Sequence, residues 1–265
     1  MRSNIKQMVN LAYRLYLIGD GNLAHSLAAH YKQRNIDFEW FRSGIKKRYF
    51  SSKDELKEKT LYLLAVNESN IADLASPFSD INQMSLYCHF SAAIGIDAFP
   101  EQLRKRSFIL HPMQTFPSRK EHVPIQNCYF TFQGSKNTYS VLEELFNQIG
   151  IQAIYMKMKS VEAYHLTGVF ASNFLIALLS VCQRLAAENG LSKDQMLKLI
   201  EPLIRQTLHN ATKMPLKDAL SGPLKRGESN VIKNHEKFNK KFDGELLTLY
   251  KVLNDELKKL LNRDK

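Results

Sequence analysis

The chain has little from which to build a covalent or metal-held frame. Cys88, Cys128 and Cys182 are odd in number, far apart and set among apolar neighbours. That pattern excludes a disulfide framework or a thiol-rich metal cluster and reads as three buried thiols, with no metal site expected. The opening MRSNIKQMVN lacks the apolar centre of a secretory signal. Internal repeats and low-complexity tracts are missing as well. The longest charge-free stretch, Ala163 to Gln183, approaches membrane-spanning length but carries His165, Ser172, Asn173 and Ser180. It reads as a buried helix in a cytoplasmic protein with no membrane partner.

Acidic residues are in short supply. Thirty-seven Lys and Arg face 26 Asp and Glu, a formal net charge of +11 over 265 residues, which draws anionic partners toward the surface. Much of the excess lies between Lys213 and Lys241, where Asp218, Glu228 and Glu236 interrupt it. With no aromatic ladder and no recognised motif, nucleic acid is not an expected partner. A small anionic ligand is.

Against these absences stands LIGDGNLAHSL, residues 17 to 27. The apolar run Arg14 to Ile18 reads as a strand, and Leu23, Leu27, Ala28 and Tyr31 recur at helical spacing after it. A second strand, Ile36 to Phe41, follows at the distance of a right-handed strand, helix, strand crossover. Gly19, Gly21 and Ala24 then fit G-x-G-x-x-G/A: a tight turn, a close backbone approach to a pyrophosphate, and a small residue that lets helix meet sheet. Asp20, Asn22 and Leu23 complete the loop, whose helix amides face the phosphates. The alternative is a glycine turn with no ligand.

The second strand also lacks an acidic residue at its tip, where NAD is usually held by its ribose hydroxyls. It ends in Arg42 and Ser43, followed by Lys46, Lys47 and Arg48. Cations there suit the additional phosphate of NADP; Glu39 falls within the strand, and the alternative reading of the segment is a solvated loop. Further strands are expected at 60–66, 84–90, 107–110, 128–132 and 152–156, mostly apolar throughout as in sheets covered on both faces. The fold class is α/β, a doubly wound, mostly parallel sheet over residues 1–158, with a thin helical layer on one side.

After Lys159 the period changes. Residues 160–189 read as one long helix, 192–213 as a second opened by Ser192, and 244–261 as a third with a leucine stripe. Residues 159–265 are therefore expected to form an all-helical domain. On the long helix His165 and Asn173 fall about 40° either side of Val169, with Ser172 nearly above His165. HFSAAIG places Ser91 at a strand's C-terminal end, and LHPMQTF places His111, Gln114 and Thr115 at another, the edge where open sheets bind ligands. Each cluster also has a purely structural reading as satisfied core groups or a proline turn.

The segments LIGDGNLA, HFSAA, LHPMQTF, AYHLTGVFASNFL and ALSGPLKRGESNVIKNH occur in this order between residues 17 and 235. Together they resemble a bacterial group of Rossmann-like NADP oxidoreductases with a helical C-terminal domain of unknown function. That group is similar in architecture to pyrroline-5-carboxylate reductases, ketopantoate reductases and hydroxyacid dehydrogenases. The resemblance implies NADP as cofactor, contacts from Val66 and Asn67 after the third strand, and a homodimer formed through the helical domain. Asn67 and Glu68 stand where the group usually has Pro and Asp, and Ala92 where it tends to have Gly. Val169 occupies the position at which hydroxyacid dehydrogenases carry a lysine, which leaves His165 as the nearest proton carrier.

The expected activity is hydride transfer between NADPH and a small carbonyl or imine substrate bearing a carboxylate or phosphate. His165, His111 and Asn173 are the expected catalytic residues, with Gln114, Ser172, Lys225 and Arg226 as substrate contacts and Ser91 beside the cofactor. The alternative is a nucleotide-binding sensor or interaction protein without turnover.

Overall fold

The computed structural model describes residues 11–42, 59–75 and 84–262. The N-terminal unit alternates strands and helices: β1 (Arg14–Ile18), α1 (Asn22–Gln33), β2 (Glu39–Phe41), β3 (Thr60–Leu64), α2 (Ile71–Ala75), β4 (Leu86–His89), α3 (Glu101–Arg104), β5 (Ser107–Pro112), β6 (Tyr129–Gln133), α4 (Lys136–Ile149) and β7 (Gln152–Tyr155). They form one seven-stranded sheet in the order β2-β1-β3-β4-β5-β6-β7. Strands β1 to β5 are mutually parallel; β6 runs antiparallel to β5, and β7 parallel to β6. The α/β, mostly parallel, Rossmann-type sheet expected from the sequence is present.

Alternation along each strand decides which layer a side chain enters. Leu15 and Leu17 join the core under α1 and α4, with Leu61, Leu63, Phe108 and Phe146. Tyr16 and Ile18 point the other way, to a smaller core with Tyr62, Leu64, Phe99 and Leu103. Among the described residues, the helices on that second face are the short α2 and α3; the other short helical segment expected there, around residues 52–59, lies almost wholly outside the described residues. Because β1, β3, β4 and β5 are parallel, Ile18, His89 and Pro112 all finish on one edge of the sheet.

The chain then enters a continuous helical run, α5 (Val161–Gly168), a π-helical turn (Val169–Asn173) and α6 (Phe174–Ala187). Ser160 caps it by accepting from the Ala163 amide. The expectation that this helix is buried is not met. None of its most apolar window, mean hydropathy 1.7, is enclosed, and Phe170 and Ile176 are 65% and 66% exposed. Apolarity fixes that a helix seeks cover, and the described residues leave this one open. Cys88 and Cys128 are buried as expected, whereas Cys182 on this helix is only half-buried.

Packing divides the chain into two compact units, Met1–Ala177 and Leu178–Lys265, so α5 and the π turn belong with the sheet. The second unit contains α7 (Lys193–Lys213), α8 (Leu216–Ala219), α9 (Pro223–Arg226), α10 (Ser229–Phe242) and α11 (Gly244–Asn262). A capping box opens α7: Ser192 Oγ accepts from the Gln195 amide at 3.2 Å and Gln195 Oε1 accepts from the Ser192 amide at 2.8 Å. Among the described residues of this unit, Met196 and Leu246 are the only buried apolar side chains. Leu199, Leu203 and Leu208 on α7 are each more than 60% exposed.

Candidate functional site

The loop between β1 and α1 is shaped first by the sheet. Gly19 has φ +132°, and a Cβ there would lie 2.0 Å from the Ala65 carbonyl oxygen. Its amide donates to the Phe41 carbonyl at 2.9 Å, and its own carbonyl accepts from Trp40 Nε1 at 2.9 Å. Gly19 is therefore required by β2 and β3 whether or not a ligand binds. Gly21 differs: the nearest atom to a Cβ built on it is 3.9 Å away. It is the exposed N-cap of α1, with no side chain capping the first amides and no acidic residue in the first turn. An uncapped 12-residue helix that begins at an exposed glycine presents N–H groups and a positive dipole end to an anion. Val66, from the turn after β3, abuts the loop. Asn67 opens the next turn by accepting from the Asn70 amide at 2.9 Å, and Leu23 packs against the larger core.

Charge gathers beside this loop. Asp20 Oδ1 receives Arg42 Nε at 2.7 Å and His25 Nε2 at 3.0 Å, and Oδ2 receives Arg119 Nη1 at 3.0 Å. Hydrogen bonds from Arg42 and His25 hold the Asp20 carboxyl below its ordinary range. Arg42 also lies over the Trp40 ring at 5.0 Å, with Lys32 on the same ring at 5.6 Å. Arg42, singled out at the strand tip, is thus ion-paired; Ser43 and Lys46 lie outside the described residues.

At the end of β4, His89 is fully buried. Its Nδ1 accepts from the Ser91 amide at 3.3 Å and its Nε2 donates to the Gly95 carbonyl at 3.3 Å. Both bonds are satisfied by one neutral tautomer, and burial pushes the imidazole down to about 4. Ser91 donates its hydroxyl to Glu68 Oε1 and accepts from the Ala93 amide. It therefore links the loops after β3 and β4.

The residues singled out on β5 and on the long helix converge. His111, Gln114, His165, Ser172 and Asn173 all line one cleft of about 370 Å³ with Thr115, Tyr164 and Val169, within the usual range for small-molecule sites. Its lining lies wholly in the first unit. The π turn alters the register expected for an ideal α-helix. One extra residue per turn lets eight residues do the work of seven, so Asn173 comes back to within about 20° of His165. The π turn therefore aims Asn173 into the cleft.

Tyr164 is the residue that sequence reasoning missed. Its hydroxyl lies 2.9 Å from His111 Nδ1 and 2.9 Å from Thr131 Oγ1, and Thr131 Oγ1 donates to the His111 carbonyl at 3.5 Å. A consistent set of donors runs from His111 Nδ1–H to Tyr164, to Thr131 and back to the His111 backbone. The neutral ring then keeps an unprotonated Nε2. Burial, with the neighbouring His165, drives His111 down to about 4, so this neutral form holds near pH 7. A tyrosine next to a histidine on an apolar helix gives no sequence signal of its own.

Lys225 and Arg226 lie in the second unit. The Lys225 ammonium donates to the carbonyls of Lys217 and Asp218 at 3.0 and 2.9 Å, and Arg226 forms a two-point pair with Glu228 at 2.7 and 3.0 Å.

Residues 128–257 match the family described as Domain of unknown function (DUF2520). No curated protein matches the sequence. Among solved structures, the chain is similar to a candidate NADP oxidoreductase from Bacteroides fragilis, at 21% identity over 92% of this chain and 97% of that one, with a TM-score of 0.69. A Thermotoga maritima protein gives the same TM-score at 18% identity, over 94% of this chain and 99% of that one. A pyrroline carboxylate reductase from Plasmodium falciparum, solved with NADP bound, gives a TM-score of 0.57 at 16% identity, over 94% and 98%. At these identities the likeness is one of fold. The match to DUF2520 over residues 128–257 therefore falls on a Rossmann-like architecture with a helical C-terminal region.

Proposed function

We propose that this protein is a cytoplasmic NADP(H)-dependent oxidoreductase that moves a hydride between NADPH and a small carbonyl or imine substrate. The single observation that carries the reading is the convergence of five polar residues, chosen from separate motifs, on one cleft at the edge where β5 ends. Asn22 Nδ2 donates to the Phe116 carbonyl at 2.6 Å, which ties the start of α1 to the loop bordering that cleft. The fold likeness to an enzyme solved with NADP supports the cofactor.

The residues present fit a dinucleotide. Gly21 leaves room for a diphosphate at an uncapped helix end, and Arg42, Arg119 and Lys32 outnumber Asp20 beside it. The bound cofactor would supply the hydride chemistry, and the protein position and charge. His165, exposed on the cleft wall, hands the accompanying proton to the substrate oxygen or nitrogen. His111, fixed by Tyr164, accepts a hydrogen bond from the substrate through Nε2. Asn173, Ser172 and Gln114 orient the substrate's polar group, and Ser91 with Glu68 borders the cofactor.

The exposed apolar faces of the long helix and of α7 are covered by a second copy, so the working form is a homodimer.

The reading is tested by mixing the full chain with NADPH and a panel of 2-oxo acids, aldehydes and cyclic imines. Loss of dihydronicotinamide absorbance with at least one substrate class supports it. Tight NADPH binding without oxidation across the panel favours the nucleotide sensor.

A further inference from the structure

The connection from β5 to β6 is laid along the glycine loop and α1, and is fastened at one place to the loop and at three to the helix. Asn22 Nδ2 holds the Phe116 carbonyl at 2.6 Å. Arg119 reaches Asp20 at 3.0 Å. His122 stacks on His25 with ring centroids 6.5 Å apart, and the Val123 amide donates to the buried Ser26 hydroxyl at 3.2 Å. The segment is therefore a strap with fixed ends, and the side chain it delivers to the glycine loop is a guanidinium group.

That group does not arrive alone. One carboxylate, Asp20, gathers Arg119 from the strap and Arg42 from the tip of β2, each on a different oxygen. Arg42 is further aligned by the Trp40 face. Two guanidinium groups on an anion is the arrangement that a phosphate monoester also requires, since its three oxygens accept from several planar forks at once. Arg42 and Arg119 side chains are 54% and 55% exposed and Asp20 is 32% exposed. Ion pairs so open to water are weak, and exchanging their carboxylate for a doubly charged phosphate costs little.

We propose that Arg119 is a second specificity-determining residue, which grips the adenosine-ribose phosphate of NADP together with Arg42, and that Asp20 keeps the two guanidinium groups converged until the phosphate replaces it. This rests on the dinucleotide reading of the glycine loop. It adds to that reading a cofactor contact from the β5–β6 strap, which lies outside the glycine loop and the β2 tip.

The test is calorimetric titration of the full-length protein with NADPH and with NADH, for the wild type, Arg119→Ala and Arg119→Lys. Wild-type binding of NADPH is the control for the dinucleotide reading, and heat with neither nucleotide overturns both that reading and this inference. With the control satisfied, Arg119→Ala is expected to weaken NADPH about tenfold, equivalent to about 1.4 kcal/mol, and to leave NADH within about twofold. Arg119→Lys, which keeps the charge, recovers part of the loss. An equal change for both nucleotides, or no change for NADPH, overturns the role of Arg119 and leaves the dinucleotide site standing.

Discussion

The Tyr164 hydroxyl and His111 Nδ1 lie 2.9 Å apart, joining the start of the long helix to the end of β5. This contact fixes one tautomer of a histidine that burial keeps neutral. Tyr164→Phe removes it and leaves Nδ1 and Thr131 to compete for a new arrangement. A hydrogen bond of this kind contributes about 0.5–1.5 kcal/mol, so turnover is expected to fall by up to about tenfold. NADPH affinity, measured separately by titration, should be unchanged.

The two glycines of the loop do different jobs, and substitution separates them. Gly19→Ala places a methyl group 2.0 Å from the Ala65 carbonyl oxygen at a φ of +132°. It should cost more than about 3 kcal/mol in denaturant melts, in the range of severe backbone and packing defects. Gly21→Ala meets the Ala65 carbonyl oxygen at 3.9 Å, an ordinary contact, and should melt within about 1 kcal/mol of the wild type. The same variant should bind NADPH at least about tenfold more weakly, because the methyl group occupies the approach to the first amides of α1.

His89 and His111 give the fold an acid limit. Both are driven down to about 4 from 6.5. Between those values the unfolded chain binds their protons and the folded chain does not, so stability rises with pH across the window and is lost as pH falls through it. Thermal melts should drop steadily from pH 7 to pH 4. His89→Gln lowers the melting temperature at pH 7, because it removes a buried bonded ring, and makes the acid slope shallower. A slope identical to the wild type would contradict the buried neutral assignment.

Ile176 and Phe170 stand 66% and 65% exposed on an apolar helix. Sedimentation should find a dimer for the wild type and a shift toward monomer for Ile176→Asp or Leu203→Glu. A wild-type monomer at all concentrations would contradict the homodimer.

Much of this was legible in the sequence because it follows from local rules. The β1–α1 pair, the apolar strands, the Ser192 cap and the leucine stripe of α11 all announce themselves by period or spacing. So did the members of the cleft, since His111, Gln114, His165, Ser172 and Asn173 are polar groups in apolar surroundings. Three features were not legible. The π turn at Val169–Asn173 has no composition signature, yet it resets which residue shares a face with His165. Tyr164 reads as one more apolar residue until its hydroxyl meets His111. The strap carrying Arg119 has no periodicity, and its bonds to Asp20, Asn22 and Ser26 span more than ninety residues of chain. The exposure of the long helix was hidden for a different reason: hydropathy tells that a face must be covered and not by what.

The most direct measurement uses the fact that the chain has one tryptophan, and that Trp40 stands between the Gly19 carbonyl and Arg42. Its fluorescence should change saturably as NADPH is added, at a concentration at least about tenfold lower than NADH requires. A Trp40 signal that stays flat with both nucleotides on folded protein would contradict the account.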